Sequence, residues 1–382
     1  MRTKFVFAGA ALAASVALLI AQPAFASPSH SAGHPHPAPA PDPSACSATV
    51  DAVSYSDALD KKVAFGAEVS GLSSIAWDQR QRAWVSALDN NGTTPEYVWS
   101  YRNLSNPTVT HAPLVLKKAD GTPYDGGNIA TDPNAADDEG LAVLPDGSYV
   151  VSSETEPSIR IFGRDGVQKA SLPVPARFAV TGSTAAGEAT ANATLEGLTV
   201  TPNGKTIIAA MEGALSGDVS SSGDATSHRL LVYTQGRHGQ WTLAKQLEYK
   251  TDTGMRIPEV TAYSNDAVIV EEAAWTATVG NEVSLFAVKG LSKAADVSRV
   301  ANLGDASPRL AVKKTALAEL ASCPTLGAPA LEFQQNPLLD NFEGMAVTGR
   351  LRGGRYGVSL ISDDNNSAQQ HTRILNLAVK LP

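Results

Sequence analysis

The chain has 382 residues, 43% hydrophobic and 18% charged, with 31 glycines and 23 prolines. That hydrophobic share is too high for a disordered polymer. With 38 acidic residues against 30 basic ones the net charge is −8, which argues against nucleic acid, whose binding needs a basic footprint, and favours cations or ligands that arrive with one.

Residues 1–26 read as a signal peptide: Arg2 and Lys4, an apolar run from Phe5 to Ile20, then the small-x-small site Ala24-Phe25-Ala26. The run is shorter than the ~20 residues that span a bilayer, so cleavage is expected, with no membrane span afterwards and export to the periplasm or the medium. Losing Arg2 and Lys4 takes the net charge from −8 to −10. Residues 27–44 are rich in Pro, Ala, Ser and His and read as a solvated linker. Residues 45–382 are then one domain. Its two cysteines, Cys46 and Cys323, are expected to pair in an exported chain.

A motif recurs along this domain: Glu139-Gly140-Leu141-Ala142-Val143, Glu196-Gly197-Leu198-Thr199-Val200 and Glu343-Gly344-Met345-Ala346-Val347. Pro258-Glu259-Val260 is a degenerate copy, and Ser70-Gly71-Leu72 begins a first copy lacking the acid. A turn follows each copy, as in Pro145-Asp146-Gly147 and Pro202-Asn203-Gly204, where Asp-Gly and Asn-Gly suit tight hairpins. A second apolar run then ends at Asp89, Glu154, Glu212, Glu271 or Asp363, and a third strand follows. Such units describe the blades of an all-β propeller, with five to seven blades open. The segment near 311–321 reads as a short helical insertion.

Equivalent residues of successive blades are related by rotation about one axis. Glu139, Glu196, Glu259 and Glu343 should therefore form one ring and Asp89, Glu154, Glu212, Glu271 and Asp363 another. Carboxylates so placed ionise only beside a cation or arginines. Calcium, which takes six to eight oxygens in flexible geometry, suits them. Asp132, Asn134, Asp137 and Asp138 could add ligands from the loop before Glu139. The bland alternative is that each Glu staples neighbouring blades through backbone N–H groups. Arg160, Arg229 and Arg373 recur at third-strand starts and are candidates to bind an anionic substrate, or else to pair with acids.

These motifs resemble the phytase-like family of exported bacterial proteins, "esterase-like activity of phytase". The resemblance is carried by Asp138-Glu139-Gly140-Leu141 with Ser152-Ser153-Glu154, by Leu195-Glu196-Gly197-Leu198 with Glu212, and by Phe342-Glu343-Gly344-Met345 with Ser362-Asp363-Asp364, and it covers about Gly66 to Val379. It implies a propeller and phosphoester or ester hydrolysis. A looser likeness to β-propeller phytases suggests calcium.

There is no Gly-x-Ser-x-Gly elbow, Walker A motif or dinucleotide fingerprint. The expected function is that of a secreted, monomeric, calcium-assisted hydrolase of a small anionic ester or phosphoester. Glu139, Glu196, Glu259 and Glu343 are the catalytic candidates. With them Asp138, Glu154, Glu212, Glu271 and Asp363 would hold metal. The alternative is a non-catalytic propeller whose acids and arginines are structural. A third reading, a lactonase-type propeller, needs a central metal held by acids plus Asn.

Overall fold

The computed structural model describes residues 43–89, 94–126 and 135–382. The signal peptide, nearly all of the linker, Asp132 and Asn134 lie outside the described residues. Among the described residues five antiparallel sheets of four or five strands succeed one another along the chain, so the propeller has five blades. Blade 1 runs outward from Ala76–Asp78 through Ala83–Ala87 and Tyr97–Arg102. Blade 2 begins at Asp138–Val143, blade 3 at Leu195–Val200 and blade 4 at Arg256–Ser264. Blade 5 takes Phe342–Arg350, Tyr356–Ser362 and Ile374–Val379 from the C-terminal end, and its outer strand, Val50–Ser56, from the N-terminal end.

Each blade is covered on both faces, so its middle strands are apolar at successive positions rather than alternately polar. Ile207 of blade 3 faces blade 2, packing with Val150 and Ile159, whereas Ile208 faces blade 4, packing with Val268 and Val270. Such clusters fill all five gaps between blades. The outer strand of blade 5 closes the ring. Residues 50–56 pair with 374–379, while Lys62–Ala64 and Ala67–Val69 form a hairpin of their own.

The expected helix near 311–321 is absent. Lys314–Glu319 is the outer strand of blade 4, followed by one 3-10 turn at Leu320–Ser322. Pairing with Gly280–Lys289 overrides the helical propensity of its Ala, Leu and Glu residues. Cys46 and Cys323 form the expected disulfide, joining residues 277 positions apart between the entry to the closing strand and the exit of blade 4. No helix among the described residues is long and apolar enough to cross a membrane.

Candidate functional site

The Glu-Gly step of the motif is where the inner strands are irregular. Register shifts against the second strand fall at Glu139-Gly140, at Glu196-Gly197, before Glu259 and at Glu343. A bulge re-aims the side chain at its apex. The glycine lets the next inner strand come close: a Cβ at Gly140 would meet the Glu196 carbonyl oxygen at 2.3 Å, and one at Gly197 would meet Glu259 Cα at 2.8 Å. The first copy belongs in a different phase from the one its Gly suggests. Leu72 pairs with Leu88 as Asp138 pairs with Ser153, so Ser73-Ser74 stands where other blades carry Glu-Gly. Ser73 Oγ accordingly donates to the Glu139 carbonyl oxygen at 3.0 Å.

At this end of the central channel lies a cavity of ≈ 310 Å³. Glu139, Glu196 and Glu343 line it from inner strands, and Asp89, Glu154 and Glu212 from the ends of second strands. Asp137, two residues before Glu139 and hence on the same face, adds a seventh carboxyl. The two expected rings interleave: Glu139, Glu154 and Glu196 offer oxygens within 4.8 Å of one another, as do Asp89, Asp137 and Glu139. Asn192, Asn341 and Asn365 complete the oxygen-bearing wall.

One cation faces these seven carboxyls. Arg256 donates through Nη1 to Glu212 Oε1 at 2.9 Å and through Nη2 to Glu343 Oε1 at 3.0 Å and Asn341 Oδ1 at 2.9 Å. Its Nη1 lies 3.8 Å from Glu196 Oε1. Although burial works against the guanidinium's charge, Glu343, Glu196 and Glu212 hold its pKa above the usual value. None of Asp89, Asp137, Glu139 and Glu154 has an ion-pair partner among the described residues. Burial and then the neighbouring Asp89 and Glu196 carboxyls hold Glu139 well above the ordinary carboxylate range. Burial, followed by Glu212, pushes Glu154 up to about 8 even though its Oε1 accepts the Thr194 N–H at 2.9 Å. Asp89 and Glu196 are raised likewise, burial first. All donors are oxygens, the chemistry that hard cations such as calcium prefer.

Four expected ligands lie elsewhere. Glu259 Oε1 accepts the N–H groups of Leu198 at 2.9 Å and Val260 at 2.6 Å, so this copy is an interblade staple. Glu271, its cross-strand neighbour, is fully buried with neither carboxyl oxygen hydrogen-bonded, and burial raises its pKa well above the ordinary carboxylate range. Asp138 points to the opposite face from Asp137 and Glu139, as the period of a strand requires. Burial raises it to about 7, against the pull of Arg160. Asp363 does not line the cavity but is buried against it, and its Oδ1 accepts the Asn365 N–H at 2.8 Å. Burial, then the neighbouring Glu343 carboxyl, holds it well above the ordinary range, while its charge in turn raises Asp89.

The three arginines expected at the substrate do not line the cavity. Arg229 and Arg373 are fully buried in bidentate pairs with Asp218 and Asp57, and both also donate to backbone carbonyls. Arg160 pairs with Glu156 at 3.1 Å and lies over the Tyr124 ring. Sequence reasoning missed Arg256, which has no counterpart in other blades and enters the channel through the bulge before Glu259. Asn341 was findable, since it precedes Glu343 by two residues as Asp137 precedes Glu139.

The family model for phytase-like proteins, described as "esterase-like activity of phytase", matches residues 67–366. The chain belongs to this family. Among curated proteins none matches it. Solved structures similar to this phytase-like chain include a gluconolactonase from Xanthomonas campestris, 14% identical, with 86% of this chain and 89% of that one covered and a TM-score of 0.36. A protein of unknown function from Dyadobacter fermentans is 13% identical over 87% and 100% of the two chains, with a TM-score of 0.40. A streptogramin B lyase is 10% identical over 84% and 96%, with a TM-score of 0.33.

Proposed function

We propose that this protein is an exported hydrolase that cleaves phosphate esters or related esters with the help of a divalent cation, calcium being the best match. The supporting observation is the imbalance in the cavity, where seven carboxyls face one arginine. A purely structural network would give each acid its own counter-charge or backbone donor, as Glu259, Arg229 and Arg373 illustrate. The disulfide and the apolar N-terminal run support export.

Asp89, Asp137, Glu139, Glu154 and Glu196 would hold the cation. When bound, it would neutralise an anionic ester and lower the pKa of water. Arg256 fixes Glu212 and Glu343 across the cavity, which keeps those carboxylates in one orientation as substrate enters. Glu154, raised to about 8, is placed to hold a proton near neutral pH and release it when a cation arrives. Burial of the cavity walls strengthens every charge interaction inside it.

A lactone, a cyclic ester, falls within the same substrate class, and Asn192, Asn341 and Asn365 add neutral oxygens to the acids of the wall. Calorimetric titration of the chelator-treated protein with calcium, followed by assays on p-nitrophenyl phosphate, p-nitrophenyl acetate and a simple lactone, tests the proposal. Saturable binding with calcium-dependent turnover is expected. A folded protein that neither binds calcium nor turns over any of the three would overturn it in favour of a binding propeller.

A further inference from the structure

Beside the acidic cavity opens a second one of ≈ 300 Å³, and Asn341 and Asn365 belong to the walls of both. Its character is different. Trp275, at the end of the blade 4 strand Ala267–Thr276, stands 55% exposed at its edge. Directly across the hairpin is Asn281, 4% exposed, whose Nδ2 has no hydrogen-bond acceptor. Its backbone N–H is held by Gln334 Oε1 at 2.7 Å. A buried amide donor without a partner costs about 1–3 kcal/mol, and an oxygen bound at this wall would supply the partner.

Gln369 and Gln370 complete an amide-rich wall in which each side chain can both donate and accept. Neither Lys nor Arg lines the chamber, and its one charge is the carboxyl of Glu332. Such a lining repels phosphates and carboxylates. An indole face beside several amides suits a ring that is apolar on its C–H face and hydroxylated around its edge.

We propose that this side chamber binds the uncharged, polyhydroxylated part of the substrate, a sugar or cyclitol ring stacked on Trp275 with its hydroxyls on Asn281, Gln369 and Gln370. The shared asparagines would then place the ester bond in the acidic cavity, a link that rests on the hydrolase reading, whereas binding itself does not.

The test uses unreactive probes on the chelator-treated full chain. Methyl α-D-glucopyranoside and myo-inositol are titrated while tryptophan fluorescence and heat are followed. Cyclohexanol and inositol hexakisphosphate serve as controls. Saturable binding of at least one neutral polyol is expected, weakened about tenfold or more in Trp275→Ala, retained in Trp275→Phe, and unchanged in Glu139→Gln. Because Trp275 is largely exposed, its loss leaves the core intact. Absence of saturation, equal binding by Trp275→Ala, or preference for the hexakisphosphate would overturn the chamber. Polyol binding without ester turnover would sink the hydrolase reading alone. Calcium-dependent turnover of p-nitrophenyl acetate without polyol binding would sink the chamber alone.

Discussion

Blades 3 and 4 carry an acid in similar sequence settings but at different phases of the inner strand. Glu196 lies in the bulge between the Leu195–Met211 and Leu198–Ala209 pairs, whereas Glu259 lies past its bulge, paired with Glu271 where blade 3 has Leu198. Glu196, followed by Gly197, turns into the central cavity among other carboxyls. Glu259, followed by Val260, turns to backbone N–H groups of blade 3 and of its own strand. A look-alike motif therefore does not put its carboxyl on the ring unless the register matches as well. The position of the bulge decides it, over Glu196-Gly197 in blade 3 and over Ile257-Pro258 in blade 4. In blade 4 the ring position holds Ile257 in place of a carboxylate, and Arg256 just before it is the one cation lining the cavity among the described residues.

The largest expected effect falls on the whole propeller. Replacing both cysteines, in Cys46→Ser with Cys323→Ser, opens a 277-residue separation and should lower unfolding free energy by about 3–5 kcal/mol. Denaturant titration measures this, and calcium affinity of the remaining folded protein should be unchanged. The comparison itself is tested by two substitutions. Glu196→Gln should cut calcium affinity by about 10–100-fold with little change in melting temperature. Glu259→Ala should do the reverse, leaving affinity intact while losing about 1–3 kcal/mol as two N–H groups are orphaned. Equal effects on affinity would erase the distinction drawn between them.

Gly197→Ala sharpens it further. Its new Cβ would press on the backbone of Glu259 and Val260, an overpacking loss of about 1–3 kcal/mol that thermal unfolding would report. The smallest effect is in pH. Glu154, raised from 4.5 to about 8, binds a proton in the folded state that the unfolded chain has released. Its contribution is fully present below about pH 4.5 and is lost as pH rises through about 8. In chelator, the melting temperature should fall by a few degrees between those limits. Calcium should reverse the fall, since it replaces the proton's charge.

The blades are legible in the sequence because turn chemistry and double-sided burial recur at each unit. Glu139, Glu196 and Glu343 are legible as a group for the same reason. Arg256 is not, because only the bulge in its strand aims it inward, and no repeat marks it. Arg229 and Arg373 mislead because a recurrent arginine reads alike whether its acid is a substrate or a buried Asp218 or Asp57. Lys314–Glu319 misleads because its composition suits a helix, while the blade 4 edge it completes is assembled from residues some 30 positions away.

Closing the ring with Val50–Ser56 has a consequence for how the protein is made. The strand emerges from the ribosome early but waits for Ile374–Val379, the most C-terminal of the propeller strands described, before it has a partner. Through nearly all of translation it is an unpaired edge, and blade 5 cannot exist in any partial product. Completion is therefore tied to arrival of the final strand, and a chain shortened by even that one element would be left with an open circle rather than a smaller propeller.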